Sequence, residues 1–177
     1  MSSHSPLRYD NEKDRTYGVA GMAIAMVLWD GEEYLASVSI DSPVGSSVTF
    51  TPAFGFSGNP RMTASLAWRE LVSQFELSTA MLMGNAVCRA YVHKSSPMTS
   101  ATALALQNMI REHGREMCSL DDDETDSIYN RTRSYLDRIF THSGVADIAH
   151  NFAATLGKRR SLTAGEVIDL LDALRRL

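Results

Sequence analysis

Between Gly18 and Thr51 apolar residues fall in short runs with an alternating pattern, and from Asn59 onward they recur at a spacing near 3.6. That change of period predicts strands first and helices afterwards, hence an α+β class. In the first run Met22, Ile24, Met26 and Leu28 share one side of an extended chain, and Ala23, Ala25, Val27 and Trp29 the other. With both sides apolar, the expectation is a strand covered on both faces. Asp30-Gly31 predicts a type I′ hairpin, because that turn needs positive φ at both central residues. A return strand alternates through Tyr34, Ala36, Val38 and Ile40 and is broken by Ser42-Pro43; a third runs from Val44 to Thr51. The predicted unit is an N-terminal three-stranded antiparallel β-meander over 17–52. Such a meander needs helices over at least one face.

One long helix follows, with Asn59 as N-cap and Pro60 in the first turn, where no amide donor is required. Its stripe is Ala64, Trp68, Leu71, Val72, Phe75, Leu82, Met83, Ala86 and Val87. Past Glu76 it is apolar all round, with Leu77, Met81 and Cys88 on the other faces. A helix of that kind is buried centrally or lies in an oligomer interface. Ser95-Ser96-Pro97 ends it. About four shorter helices complete a bundle. Thr99 caps the first of them, with the stripe Leu106, Ile110, His113 and Met117. Ser119 and the acidic run Asp121 to Glu124 open the next, where negative charge suits the helix dipole. Another carries Val145, Ile148, Ala149, Phe152 and Leu156, with Gly157 as its stop. The last opens with a capping box, Thr163 with Glu166, and a Leu162–Val167 staple. The predicted layout is a flexible tail over 1–16 and a single domain over 17–177, with sheet at 17–52 and helices at 59–177.

Length and charge narrow the function classes. A chain of 177 residues, 44% hydrophobic, is one domain able to fold without staples. The net charge is −4, and neither half is basic, which disfavours a general nucleic-acid binder. Acidic residues before the Gly18–Trp29 run argue against a signal peptide. The uncharged run Leu77–Cys88 is shorter than the roughly 20 residues a bilayer span takes. A cytoplasmic protein with no membrane partner is expected. Cys88 and Cys118 form neither a disulfide framework nor a metal-type spacing, and they read as buried, reduced thiols.

The segment from Ser42 to Pro60 has no charged residue and is rich in Gly, Ser, Pro and Phe. Glycines let a backbone approach a ligand, and a helix start offers free amides. Gly55, Ser57, Gly58, Asn59 and Arg61 are therefore the candidate ligand-binding residues, for a small anion. The competing account is packing, with Phe54 and Phe56 plugging the core. The segment is not a P-loop, since it lacks the Gly-Lys-Ser/Thr ending. A metal would need His113, His142, Asp147 and His150 to converge from separate helices. No local motif supports that, so no metal and no cofactor is assigned. His142 sits at a helix end, where a cation is favourable. Asp121 to Glu124 lacks the alternating ligands of an EF-hand and reads as a solvated helix start. Lys158-Arg159-Arg160 complements a helix C-terminus. There is no Gly-x-Ser-x-Gly elbow and no cysteine beside a histidine, so no catalytic residue is assigned.

The functional expectation is a non-catalytic interaction module that self-associates, as a homodimer. It rests on surplus apolar surface and on 9 methionines, a residue suited to adaptable interfaces. The alternative is an anion- or phosphate-binding protein, or a small enzyme, using Gly55–Arg61.

Overall fold

The apolar run from Gly18 to Trp29 folds as a helix, not a strand. In the computed structural model, which describes residues 8–54 and 64–177, helix α1 spans Glu12–Leu28. Its N-cap is Asn11, whose side chain accepts from the Asp14 amide at 2.9 Å. An unbroken apolar run satisfies a two-residue and a 3.6-residue period equally, and length decides between them. A run this long, rich in Ala and Met with few β-branched residues, favours helix in spite of its two glycines. The helix also begins inside the stretch read as a tail, with Glu12 and Asp14 in its first turn. Asp30-Gly31 closes α1 instead of turning a hairpin: the Asp30 and Gly31 amides donate to Val27 and Met26 carbonyls.

The class is α+β, with a three-stranded antiparallel sheet. Strand β1 is Leu35–Ser39, β2 is Val48–Phe50, and β3 is Ser161–Thr163, from the far end of the chain. The order is β2-β1-β3, so β1 is central and the third strand is not N-terminal. An irregularity between Leu35 and Ser37 breaks the alternation. It lets Leu35 and Val38, three apart, both reach the core.

Helix α2, Ala64–Cys88, is the spine, and a π-helical turn at Arg89–His93 continues it. Then come α3 (Ser100–Cys118), α4 (Asp122–Phe140), α5 (Ser143–Arg159) and α6 (Ala164–Leu171). Thr99 caps α3 and Thr163 caps α6 through the expected box with Glu166. Helix α4 is opened by a box between Asp121 and Glu124, while Ser119 is the left-handed C-cap of α3. Helix α5 runs through Gly157 and stops at Arg160, whose φ is 70°.

Helices α1 and α2 touch backbone to backbone. A Cβ on Gly21 would lie 2.0 Å from the Gly84 carbonyl oxygen, and one on Gly84 would lie 2.5 Å from that of Gly21. Only glycine on both sides permits this crossing. The pair forms the centre of the core, so Leu77, Met81, Met83 and Cys88 are all buried within this one chain. Of the two alternatives for an all-round apolar helix, central burial is the one observed.

Candidate functional site

Gly55, Ser57, Gly58, Asn59 and Arg61 lie outside the described residues, as does Phe56. Phe54 is described. It is half-buried, stacks on Phe50 with ring centroids 4.3 Å apart, and meets Tyr34 edge-on at 5.6 Å. That is the packing role expected of it.

The chemistry of the described chain gathers where α1 crosses the end of α2. Asp14, one turn into α1, is fully buried and receives Arg89 at 2.5 Å. It also accepts from the Asp10 amide at 3.0 Å. Burial alone would raise this carboxyl. The Arg89 hydrogen bond, the Asp10 amide, and the charges of Arg89 and Lys94 outweigh it, and hold Asp14 below its ordinary value. The π-helical turn faces α1 with both its ends: Arg89 reaches Asp14, and the His93 ring stacks on Tyr17 at 4.7 Å. Insertions of this kind recur at functional positions. Burial lowers His93 from its ordinary value; the Asp14 carboxylate opposes that shift, and Lys13, Lys94 and Arg89 reinforce it.

Residues 8–11 lie across this crossing. The Tyr9 hydroxyl accepts from Asn85 Nδ2 at 2.8 Å, and Arg89 donates to the Arg8 carbonyl at 2.7 Å while covering the Tyr9 ring. Lys94 reaches Asp10 at 2.7 Å and Asp14 at 3.7 Å. On one flank a cavity of about 750 Å³ is bounded by Arg8, Arg89, Lys94 and the start of α3. On the other flank a smaller groove of about 400 Å³ is lined by buried Tyr17 and Thr16 and by exposed His150. The Tyr17 phenol is raised by burial and by the nearby Cys88. Its hydroxyl is hydrogen-bonded to His150 Nδ1 at 2.6 Å.

The four metal candidates do not form a centre; among the described residues no group of three or more His, Cys, Asp or Glu could hold a metal. His150 is taken by Tyr17, and His113 packs against Phe75 at 5.8 Å. His142 is at a helix start, not an end: it caps α5, and its Nδ1 accepts from the Gly144 amide at 3.2 Å. The basic run is ion-paired, Arg159 with Glu166 at 2.5 Å and Arg160 with Glu12 at 2.6 Å and Asp41 at 2.5 Å. Cys88 and Cys118 are free and buried, and burial pushes both thiols up. No described helix is long and apolar enough to cross a membrane.

A second surface is apolar. The first turns of α2 stand clear of the core, with Leu66 52% and Trp68 48% exposed. Leu71 and Val72, on the face of Trp68, are half-buried. The Trp68 indole N–H points to the Cys118 carbonyl at 3.5 Å, next to exposed Met117. The sequence pattern placed Trp68 on the buried stripe; the structure leaves it outside.

The sequence did carry a signal for the polar crossing, in Arg89 and His93 set among Val87, Cys88, Ala90 and Val92. Its partner Asp14 was hidden in the presumed tail. No family model, curated protein or solved structure matches this chain.

Proposed function

We propose that this protein is a non-catalytic interaction module that pairs with a second copy of itself through the first turns of α2. The observation that carries the proposal is the exposure of Trp68, at 48%, near the start of a helix whose later turns are core. Single exposed apolar residues are ordinary on a protein surface. Trp68 shares a helix face with half-buried Leu71 and Val72, three and four positions on, and its indole lies beside Cys118, next to exposed Met117; together they make an apolar patch of the kind that marks an interface. Pairing about a two-fold axis would bury this patch against the same patch of the second copy. The apolar stretches Gly18–Trp29 and Leu77–Cys88 are covered by the chain's own core, so the interface belongs to the start of α2 alone.

The polar groups support a non-catalytic role because they have structural employment. Asp14 and Arg89 neutralise each other, His142 caps a helix, and both thiols are buried. The test is the mass in solution by light scattering of wild type and Trp68→Asp. Wild type is expected to run as a dimer and the variant as a monomer with an unchanged circular dichroism spectrum. A monomeric wild type ends the proposal.

A further inference from the structure

The cavity of about 750 Å³ beside the π-helical turn is used neither by the core nor by the pairing surface. It lies at the opposite end of α2 from Trp68, roughly 30 Å away at 1.5 Å per residue. Its floor is apolar, from Ala86, Ala90 and Met98. Its walls carry Arg8, Arg89 and Lys94. Two carboxylates oppose these three cations, Asp10 on the rim and Asp14 behind Arg89, so one positive charge is in excess.

The two carboxylates are not equivalent. Asp14 is fully buried and committed to Arg89. Among the described residues its Oδ1 has no hydrogen-bond partner, and it stands 3.7 Å from Lys94 Nζ, which keeps the ammonium at the cavity. The Asp10 side chain is 66% exposed. An exposed ion pair of that kind is weak and readily exchanged for another anion. Helix α3 starts on the same wall. Thr99 accepts from the Thr102 amide, and the amides of Ser100 and Ala101 precede any intrahelical acceptor. Ser96, Thr99 and Thr102 add hydroxyl groups to the lining. Donors thus come from several directions, which suits a three-oxygen group better than a planar carboxylate. The volume exceeds what a bare inorganic ion fills, and the floor is apolar.

We propose that this cavity binds an organic phosphate monoester. Its phosphoryl group takes the place of the Asp10 carboxylate on Lys94 and faces the start of α3, and its apolar body covers Ala86, Ala90 and Met98. The site is separate from the pairing surface, and its test does not depend on self-association.

The experiment is calorimetric titration of the full chain with phenyl phosphate, inorganic phosphate and benzoate. Wild type is expected to bind phenyl phosphate about tenfold or more tightly than either control. Lys94→Gln should weaken binding by about tenfold, since a charge-assisted contact is lost. Asp10→Asn should tighten it several-fold by removing the internal competitor. Ala101→Trp, an exposed substitution that fills the cavity mouth without changing charge, should abolish binding. No heat with phenyl phosphate at millimolar concentration overturns the proposal. Equal affinity for the two controls, or binding indifferent to Lys94→Gln and Ala101→Trp, overturns it as well.

Discussion

Asp14 shows how far one residue can commit a structure. A carboxylate with no exposed surface is tolerated only because Arg89, itself nearly buried, meets it at 2.5 Å. Removing one partner of such a pair strands the other charge in the interior, at about 3–5 kcal/mol. Asp14→Ala is therefore expected to lower stability in urea by that amount, and Asp14→Leu combined with Arg89→Met by much less. A loss of under about 1 kcal/mol in the single variant would mean that water reaches Arg89. His93 gives a pH signature. Its folded-state value is lowered, mainly by burial, so the unfolded chain takes up the proton first. Stability should then fall as pH drops through the ordinary value of 6.5 and level off below the folded value. His93→Phe keeps a ring against Tyr17 and removes the titration. Its urea midpoint should vary less between about pH 7 and 5 than that of wild type; an equal slope would assign the effect to other groups.

Elements were legible in the sequence where their signals were local. The Thr163–Glu166 box is present as expected, with Glu166 accepting from the Thr163 amide at 2.8 Å. Thr163→Ala should cost on the order of 1 kcal/mol in a denaturant titration, and an unchanged midpoint would contradict the cap's role. The starts of α3 and α4 were legible for the same reason. Helix α1 was not, because an apolar run buried on all sides shows no period to choose between strand and helix. Misreading it also misplaced the third strand: β3 lies more than 100 residues from β1 in sequence, and such a pairing leaves no local trace. The glycines of α1 carried the missing information. Gly21 and Gly84 exist for a contact between helices, which a single segment cannot reveal. Gly21→Ala must push α1 off α2, and a loss of about 3 kcal/mol or more in urea is expected. A neutral result would mean that the crossing relaxes freely.

At the scale of the whole molecule, the core accounts for the apolar surplus that first suggested an oligomer. Helices α1 and α2 bury each other, the sheet and α6 close one side, and α3, α4 and α5 close the rest. Large apolar side chains that stay exposed among the described residues include Leu66 and Trp68 in the first third of α2, and Val44, Leu104 and Leu177 elsewhere. The candidate site divides along the same line. Its proposed loop, Gly55 to Arg61, falls outside the described residues. The polar crossing of Asp14, Arg89, Tyr17 and His93 needed the fold to bring residues about 75 positions apart into contact. The proposed pairing surface was half visible: Trp68 was singled out, but as a buried residue, because helical spacing alone cannot say where a helix leaves the core. Sedimentation velocity of wild type over roughly 1–100 μM, beside Trp68→Asp, measures the pairing directly. In wild type the sedimentation coefficient is expected to rise with concentration toward the dimer value, and in the variant to stay at the monomer value. A wild-type coefficient fixed at the monomer value throughout, or a dimer that survives Trp68→Asp, would contradict it.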